Sequence, residues 1–313
     1  MIDLLRLLHN NSNSLTSDMS AWFQKYPTGV AWNVYSDYCV ADPNKANDSF
    51  SFVITPMHDT DANVAEYIAN VAPKDLKKTR QASEGLISYL NSPVAFSVSF
   101  LVERKSNLLR NYITDENMYE FALGLRELVG LWLSEPQAPK EYWIRIGKAL
   151  GEFANDTQRK KFSSRLARQV LITSTFAGFL FAKLNELKSP AHIRWISDRD
   201  GAFERYNELA FDLGYIFFQL LRSAGGLPAN PDRPQFLFAY PMMDGKQDYA
   251  EQIRLPDYLA GICADINLPE IKFTHTKFNT IFDQAIINST NNVLIEVLGN
   301  QEKLTTRRLS FMV

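Results

Sequence analysis

The chain reads as an α/β protein, a mixed sheet flanked by helices, with a helical insertion between its strands. Three observations predict this. The segments WNVYS, FSFVITP and VAFSVSFLVE, rich in β-branched and aromatic residues, lie early in the chain, and such composition favours strands. Two later segments of the same kind, HIRWIS and QFLFAYP, alternate with helical patterns, as in a sheet covered by helices. Between the two sets, residues 117–188 carry helical periodicity almost throughout.

Taken in order, MIDLLRLLHNN begins as a short amphipathic helix, and Ser17 or Asp18 is a candidate cap for a second one carrying Trp22 and Phe23. A first strand, AWNVYSDYCV, ends near Asp37. The turn-rich ADPNKANDS leads to FSFVITP, which suggests an antiparallel hairpin. Asp61 to Asn91 is helical with a break at Pro73, and VAFSVSFLVE is the third strand. Helices are expected at Asn117–Leu133, Tyr142–Phe153 and Gln158–Leu187. The strand HIRWIS ends at Ser197-Asp198. A helix over Ala202–Ser223, the loop AGGLPANPDRP and the strand QFLFAYP follow. Two helices, Pro256–Asp265 and Phe278–Leu298, are expected to close the chain, which reads as a single domain over 1–313 with the helical insertion at 117–188.

The whole-chain numbers bound the function. A net charge of -2 and 22% charged residues argue against a protein that coats nucleic acid, which needs a strongly basic face. Cys39 and Cys263 form no C-x-x-C pair, which disfavours a zinc finger or thioredoxin-like centre. His9, His58, His192 and His275 show no paired spacing for zinc. No P-loop, dinucleotide-binding glycine pattern or G-x-S-x-G elbow is present. The N-terminus lacks the basic start and cleavage site of a signal peptide. The longest uncharged apolar stretch, Val170–Ala182, is shorter than the roughly 20 residues of a membrane span. A cytoplasmic protein without a membrane partner is expected.

What remains is a set of acids at the ends of apolar segments. Asp37 ends WNVYS and Asp198 ends IRWIS, each after a Ser and before a turn. Asp257 lies in IRLPDYLAGICADI, where Pro256 suits the first turn of a helix and Leu255, Leu259 and Ile262 mark its buried face. Carboxylates from adjacent strand ends and a neighbouring helix can meet at one sheet edge. Two-metal phosphodiester cleavage needs about three or four of them around ions roughly 3.5–4 Å apart, and hard oxygen ligands suit Mg²⁺ or Mn²⁺. Asp is also common in caps and turns for purely structural reasons. Asp200, in SDRDG, fits a turn and stands as the alternative ligand to Asp198; Asp42 and Asp48 read as turn residues of the hairpin.

These landmarks resemble the bacterial family of domain of unknown function 3800, which is ribonuclease-H-like. The first strand, turn and second strand of that family match VYSDYCVADPNKANDSFSFVITP. Its acidic-apolar-Lys helix signature is similar to Asp75-Leu76-Lys77, its third strand to VAFSVSFLVER and its later Asp-ended strand to IRWISDRDG. Its terminal L-Q-L-A-D-L-I-A-G is similar to I-R-L-P-D-Y-L-A-G from Ile253 to Gly261. The chain departs from it after Asp37, where Asp-Glu-Ser-Gly is replaced by Asp37-Tyr38-Cys39-Val40, and at the acidic helix position, which is the shorter Asp75.

The resemblance implies a ribonuclease-H-like fold and a catalytic set of Asp37, Asp75, Asp198 and Asp257, with Lys77 and Lys78 toward substrate phosphates. The metal ligands are then Asp37, Asp198 and Asp257, with Asp200 as substitute, and the cofactor Mg²⁺ or Mn²⁺. The expected activity is hydrolysis of DNA or RNA phosphodiesters, in the setting of phage defence or a mobile element. The departures motivate the rival expectation, a non-catalytic scaffold that binds a partner protein on the same fold. Two basic runs fit a polyanion, although such runs are more often solvated faces: Lys74, Lys77, Lys78 and Arg80, and Arg159, Lys160, Lys161, Arg165 and Arg168.

Overall fold

The computed structural model of the chain describes residues 1–134, 139–224, 234–242, 248–287, 289–299 and 303–311. Helices α1 (Ile2–Asn10) and α2 (Asn13–Phe23) precede the hairpin of β1 (Trp32–Cys39) and β2 (Asn47–Pro56). Helices α3 (Asp61–Val71) and α4 (Glu84–Leu90) follow, with a single 3-10 turn between them at Leu76–Lys78, then β3 (Phe96–Glu103). Four helices come next: α5 (Leu108–Tyr112), α6 (Asp115–Leu133), α7 (Lys140–Thr157) and α8 (Ser164–Lys188). Strand β4 (His192–Ser197), α9 (Gly201–Glu204), α10 (Leu209–Ala224) and β5 (Gln235–Ala239) lead to α11 (Arg254–Asp265) and α12 (Thr276–Ile281). A π turn, Phe282–Ile287, precedes β6 (Asn292–Gly299) and β7 (Leu304–Leu309).

The seven strands form one mixed sheet in the order β5-β4-β1-β2-β3-β6-β7. Strand β1 runs antiparallel to β2 and parallel to β4, and β4 runs parallel to β5. Strand β2 runs antiparallel to β3, β3 parallel to β6, and β6 antiparallel to β7. The α/β class with a helix-flanked mixed sheet is the one expected, and it is consistent with a ribonuclease-H-like sheet. The chain's end is a correction: residues 292–298 were expected to be helical but form β6, and β7 extends the sheet beyond it. Strand β6 is buried along Asn292–Val297, and a strand covered on both faces shows no alternation to set it apart from a helix.

Alternation along the strands makes two cores. On one face Trp32, Val34, Phe50, Phe100 and Trp195 pack under α8 and α10. On the other, Tyr35, Val53, Leu101, Ile196 and Leu294 pack under α3, α4 and α11. The Phe100 and Phe176 rings stack 4.0 Å apart across the first core. Helix α8 has the length and apolarity of a membrane span. It is nonetheless a core helix, buried on nearly all sides from Gln169 to Leu184. Glycines let α8 and α10 touch: a Cβ on Gly178 would lie 2.8 Å from the Gly214 carbonyl oxygen. The helical stretch between β3 and β4 therefore divides. Helices α6 and α7 pack chiefly on each other, and α8 covers the sheet.

The Gly/Pro-rich segment 225–233, expected to be a loop, lies outside the described residues. Cys39 and Cys263 are free thiols.

Candidate active site

Register and alternation decide where the acids point. Ser36 of β1 pairs with Ser197 of the parallel neighbour β4, so Asp37 and Asp198 follow side by side at the two strand ends. The Asp198 N–H continues the ladder, donating to the Ser36 carbonyl at 2.8 Å. Residues two apart share a face. Asp37 therefore shares the face of Tyr35, and Asp198 that of Ile196, both in the core beneath α11.

Asp257 comes down to the same place from α11, lying in its first turn one residue after Pro256. Ala260 one turn on anchors the helix, its carbonyl accepting from the Ser49 hydroxyl at 2.7 Å. Asp257 Oδ2 accepts the Leu76 N–H at 3.3 Å, which ties the 3-10 turn to the helix start.

The opposite face of the sheet pins the two strand ends. The Trp195 indole donates to Ser36 Oγ at 2.8 Å, and the Tyr38 hydroxyl lies 2.5 Å from Ser36 Oγ and 3.1 Å from Ser197 Oγ. Tyr38 stacks on Phe203 with centroids 5.7 Å apart. The residue following Asp37 thus serves as an anchor between β1, β4 and α9, pointing away from the acids.

Electrostatics mark Asp37, Asp198 and Asp257 as one group. Burial, then repulsion from Asp198 and Asp257, holds the Asp37 carboxyl well above the usual carboxylate range. The Tyr38 N–H, donating at 2.6 Å, and Lys77 oppose this only in part. Asp198 is pushed up by burial and then by Asp257 and Asp200, and Asp257 by burial and then by Asp75. Asp37, close by, acts to lower the pKa of Asp257. Carboxyls this close titrate as a group rather than one by one. Lys77 acts favourably on all three.

The other expected members sit differently. Asp75, expected on a helix, precedes the 3-10 turn. It is spent in ion pairs with Lys78 at 2.8 Å and Arg254 at 3.8 Å. Lys78 is accordingly turned to Asp75 and solvent, while Lys77 faces the acids. Asp200 caps α9, accepting the Ala202 N–H at 3.0 Å and the Gln169 amide at 2.7 Å. Asp48 is not a turn residue but part of β2, accepting the Ala41 N–H at 2.6 Å. Asp42 does hold the turn, accepting the Asn44 N–H at 2.9 Å.

A cavity of about 190 Å³ opens beside the acids, between the hairpin and α11, lined by Asp37, Asp257, Lys45, Lys77, His275 and Lys277 among others. Lys45, His275 and Lys277 had no signal in the sequence. Lys277 donates to the Leu76 and Thr79 carbonyls at 2.6 and 3.0 Å, and Lys45 pairs with Asp265 at 2.7 Å.

Among the described residues no three or more His, Cys, Asp or Glu side chains close into a metal cage. Asp37, Asp198 and Asp257 instead form a group within electrostatic range of one another. The donors nonetheless suit a hard divalent cation. They are all carboxylate oxygens, they repel one another, and Lys77 is the cation acting on all three. Mg²⁺ commonly takes one or two carboxylates and completes its shell with water and substrate phosphate.

No protein-family model matches the chain, and no curated protein matches it.

Proposed function

We propose that the chain is a Mg²⁺- or Mn²⁺-dependent phosphodiester hydrolase acting on DNA or RNA, built as a relative of the domain of unknown function 3800 family. The observation that carries this is the gathering of Asp37, Asp198 and Asp257 at adjacent strand ends and a helix start, at the unfavourable protonation cost described above. Three close carboxylates with no ion pair among the described residues, beside a lysine-lined cavity, are the arrangement a divalent cation would relieve.

In this reading Asp37 and Asp257 hold the cation, and Asp198 completes the ligand set or orients its water. The bound ion would lower the pKa of water and offset charge on the phosphate oxygens. Lys77 and Lys277, lining the cavity beside the acids, hold the phosphate by charge. The Leu76 N–H keeps Asp257 oriented. Phage defence or a mobile element remains the proposed setting.

The test is cleavage of labelled DNA and RNA with Mg²⁺ or Mn²⁺. Asp37→Ala and Asp257→Ala each lower the rate at least about a hundredfold, the scale on which metal-site residues act. Wild-type protein that stays inert on both polymers with both ions sinks the reading.

A second reading, a non-catalytic partner-binding relative, is favoured by Asp75, whose carboxylate is committed to Lys78 and Arg254 and so is withdrawn from the ligand set. Calorimetry separates the two: the scaffold reading requires no Mg²⁺ or Mn²⁺ binding that depends on Asp37.

A further inference from the structure

Behind the β1–β2 hairpin, on the side of α8, lies a second cavity of about 300 Å³ whose lining includes Arg104, Arg110, Arg165 and Arg168, with Asp48 and Glu103. The basic run at the start of α8, which the sequence sets between a polyanion site and a solvated face, supplies two of these arginines. The β3–α5 connection supplies Arg104, and α5 supplies Arg110.

Their commitments differ. Arg168 is paired with Asp115 and donates to the Ile113 carbonyl at 2.7 Å. Among the described residues Arg104 donates to two backbone carbonyls, those of Asp42 and Lys45. Arg110 and Arg165 have no hydrogen bond or ion pair among the described residues. Asp48 does not neutralise the group fully: it is buried, it accepts the Ala41 N–H, and burial holds its carboxyl above the usual range. The cavity therefore has an excess of guanidinium donors, the planar forks that suit phosphate oxygens.

The two cavities share the hairpin. Cys39, Asp42 and Lys45 line the first, and Val40, Ala41 and Asp48 line the second. Arg104 reaches from the second to the Asp42 and Lys45 carbonyls of the turn. A chain of phosphates crossing the hairpin would meet lysines on one side and arginines on the other.

We propose that the cavity of Arg104, Arg110 and Arg165 is a phosphate-binding subsite, which holds the backbone of a nucleic acid away from the bond poised over Asp37, Asp198 and Asp257. The subsite rests on the hydrolase reading for its ligand, but its own chemistry is only that of a phosphate group.

The experiment measures a fluorescein-labelled single-stranded oligonucleotide in EDTA, so that no cleavage occurs, across a salt series. Arg110→Ala/Arg165→Ala is compared with wild type and with Lys148→Ala, an exposed charge on α7 beside Glu152. The double variant is expected to flatten the slope of log K against log salt by about 1.4, which is roughly 25-fold in affinity near 0.1 M salt. Lys148→Ala is expected to bind as wild type. Equal binding by the double variant and wild type overturns the subsite while leaving the carboxylate reading to its cleavage assay. If wild type binds no oligonucleotide, inorganic phosphate is titrated by NMR. Shifts at the arginine cavity that the double variant loses uphold the subsite and remove the nucleic-acid reading, and their absence overturns both.

Discussion

Two regions of this molecule bury aspartates, and they treat them in opposite ways. At the junction of α7 with α9 and α10, the buried Asp156 and Asp212 each have an arginine and a tyrosine hydroxyl as partners, although Asp212 Oδ2 has none. Asp156 accepts from Arg159 at 3.2 Å, Arg205 at 2.9 Å and the Tyr206 hydroxyl. Asp212 accepts from Arg145 at 2.7 Å and Tyr142 at 3.1 Å through one oxygen. At the ends of β1 and β4, Asp37, Asp198 and Asp257 face one another, with Lys77 as their shared cation. The first arrangement joins helices. The second stores repulsion that a positive ligand would relieve. The same residue type thus has a structural role in one place and, in the proposed reading, a site role in the other, and the presence or absence of a paired cation tells them apart.

The largest expected effect on folding lies in the matched region. Asp156→Ala leaves Arg205 and Tyr206 without their acceptor and loosens α7 from the segment before α10. A loss of roughly 1–3 kcal/mol follows, because both arginines retain some solvent. Urea unfolding should show a lower midpoint with an unchanged slope, while metal-dependent cleavage per folded molecule stays at wild type. A wild-type midpoint would remove the contrast.

A smaller effect of opposite sign is expected at the other end. The folded, metal-free protein raises the pKa of Asp37, Asp198 and Asp257. It therefore holds protons that the unfolded chain releases. That contribution to stability is full below the ordinary aspartate range of about 4 and is lost as pH rises through the raised values. Asp37→Asn removes the carboxyl held furthest above its ordinary range. In EDTA at pH 7 it should melt higher than wild type by about 2 °C or more, with the gap closing as pH falls toward 4. Added Mg²⁺ should raise the wild type and leave the variant nearly unmoved. A lower melting temperature for Asp37→Asn in EDTA would place Asp37 with Asp156.

How far the sequence disclosed this contrast follows from chain geometry. Strands β1 to β4 were legible because their aromatic and β-branched residues are bounded by turns. Asp37 and Asp198 were legible as strand-end acids, and Pro256 marked the helix start that carries Asp257. The period of two even fixes that Asp37 and Asp198 share a face once the parallel pairing is known. That pairing is long-range and leaves no local mark. Strand β6 was hidden by its own burial, and β7, LTTRRL, by polar residues on an edge. Asp75 was misplaced because the break at Pro73 leaves room for only one 3-10 turn before Thr79. Lys45, His275 and Lys277 meet the acids from segments over 200 residues apart, as the Lys45–Asp265 pair shows, and no spacing rule reaches that far.

The smallest expected effect tests whether the lysines on the unmatched side act on substrate directly or through the turn. Lys277 fixes the Leu76 and Thr79 carbonyls, and Leu76 in turn offers its N–H to Asp257. Lys277→Met removes both anchors without adding bulk. If its role is to position that turn, the amides of Leu76 to Thr79 exchange faster and KM rises about fivefold, near 1 kcal/mol, with kcat changed less. Lys277→Arg should then restore exchange protection, since a guanidinium can reach the same carbonyls. Unchanged exchange together with a lower kcat would instead mean that the ammonium itself faces the reacting phosphate. The lysine side of the cavity would then be part of the same charge-storing device as the aspartates.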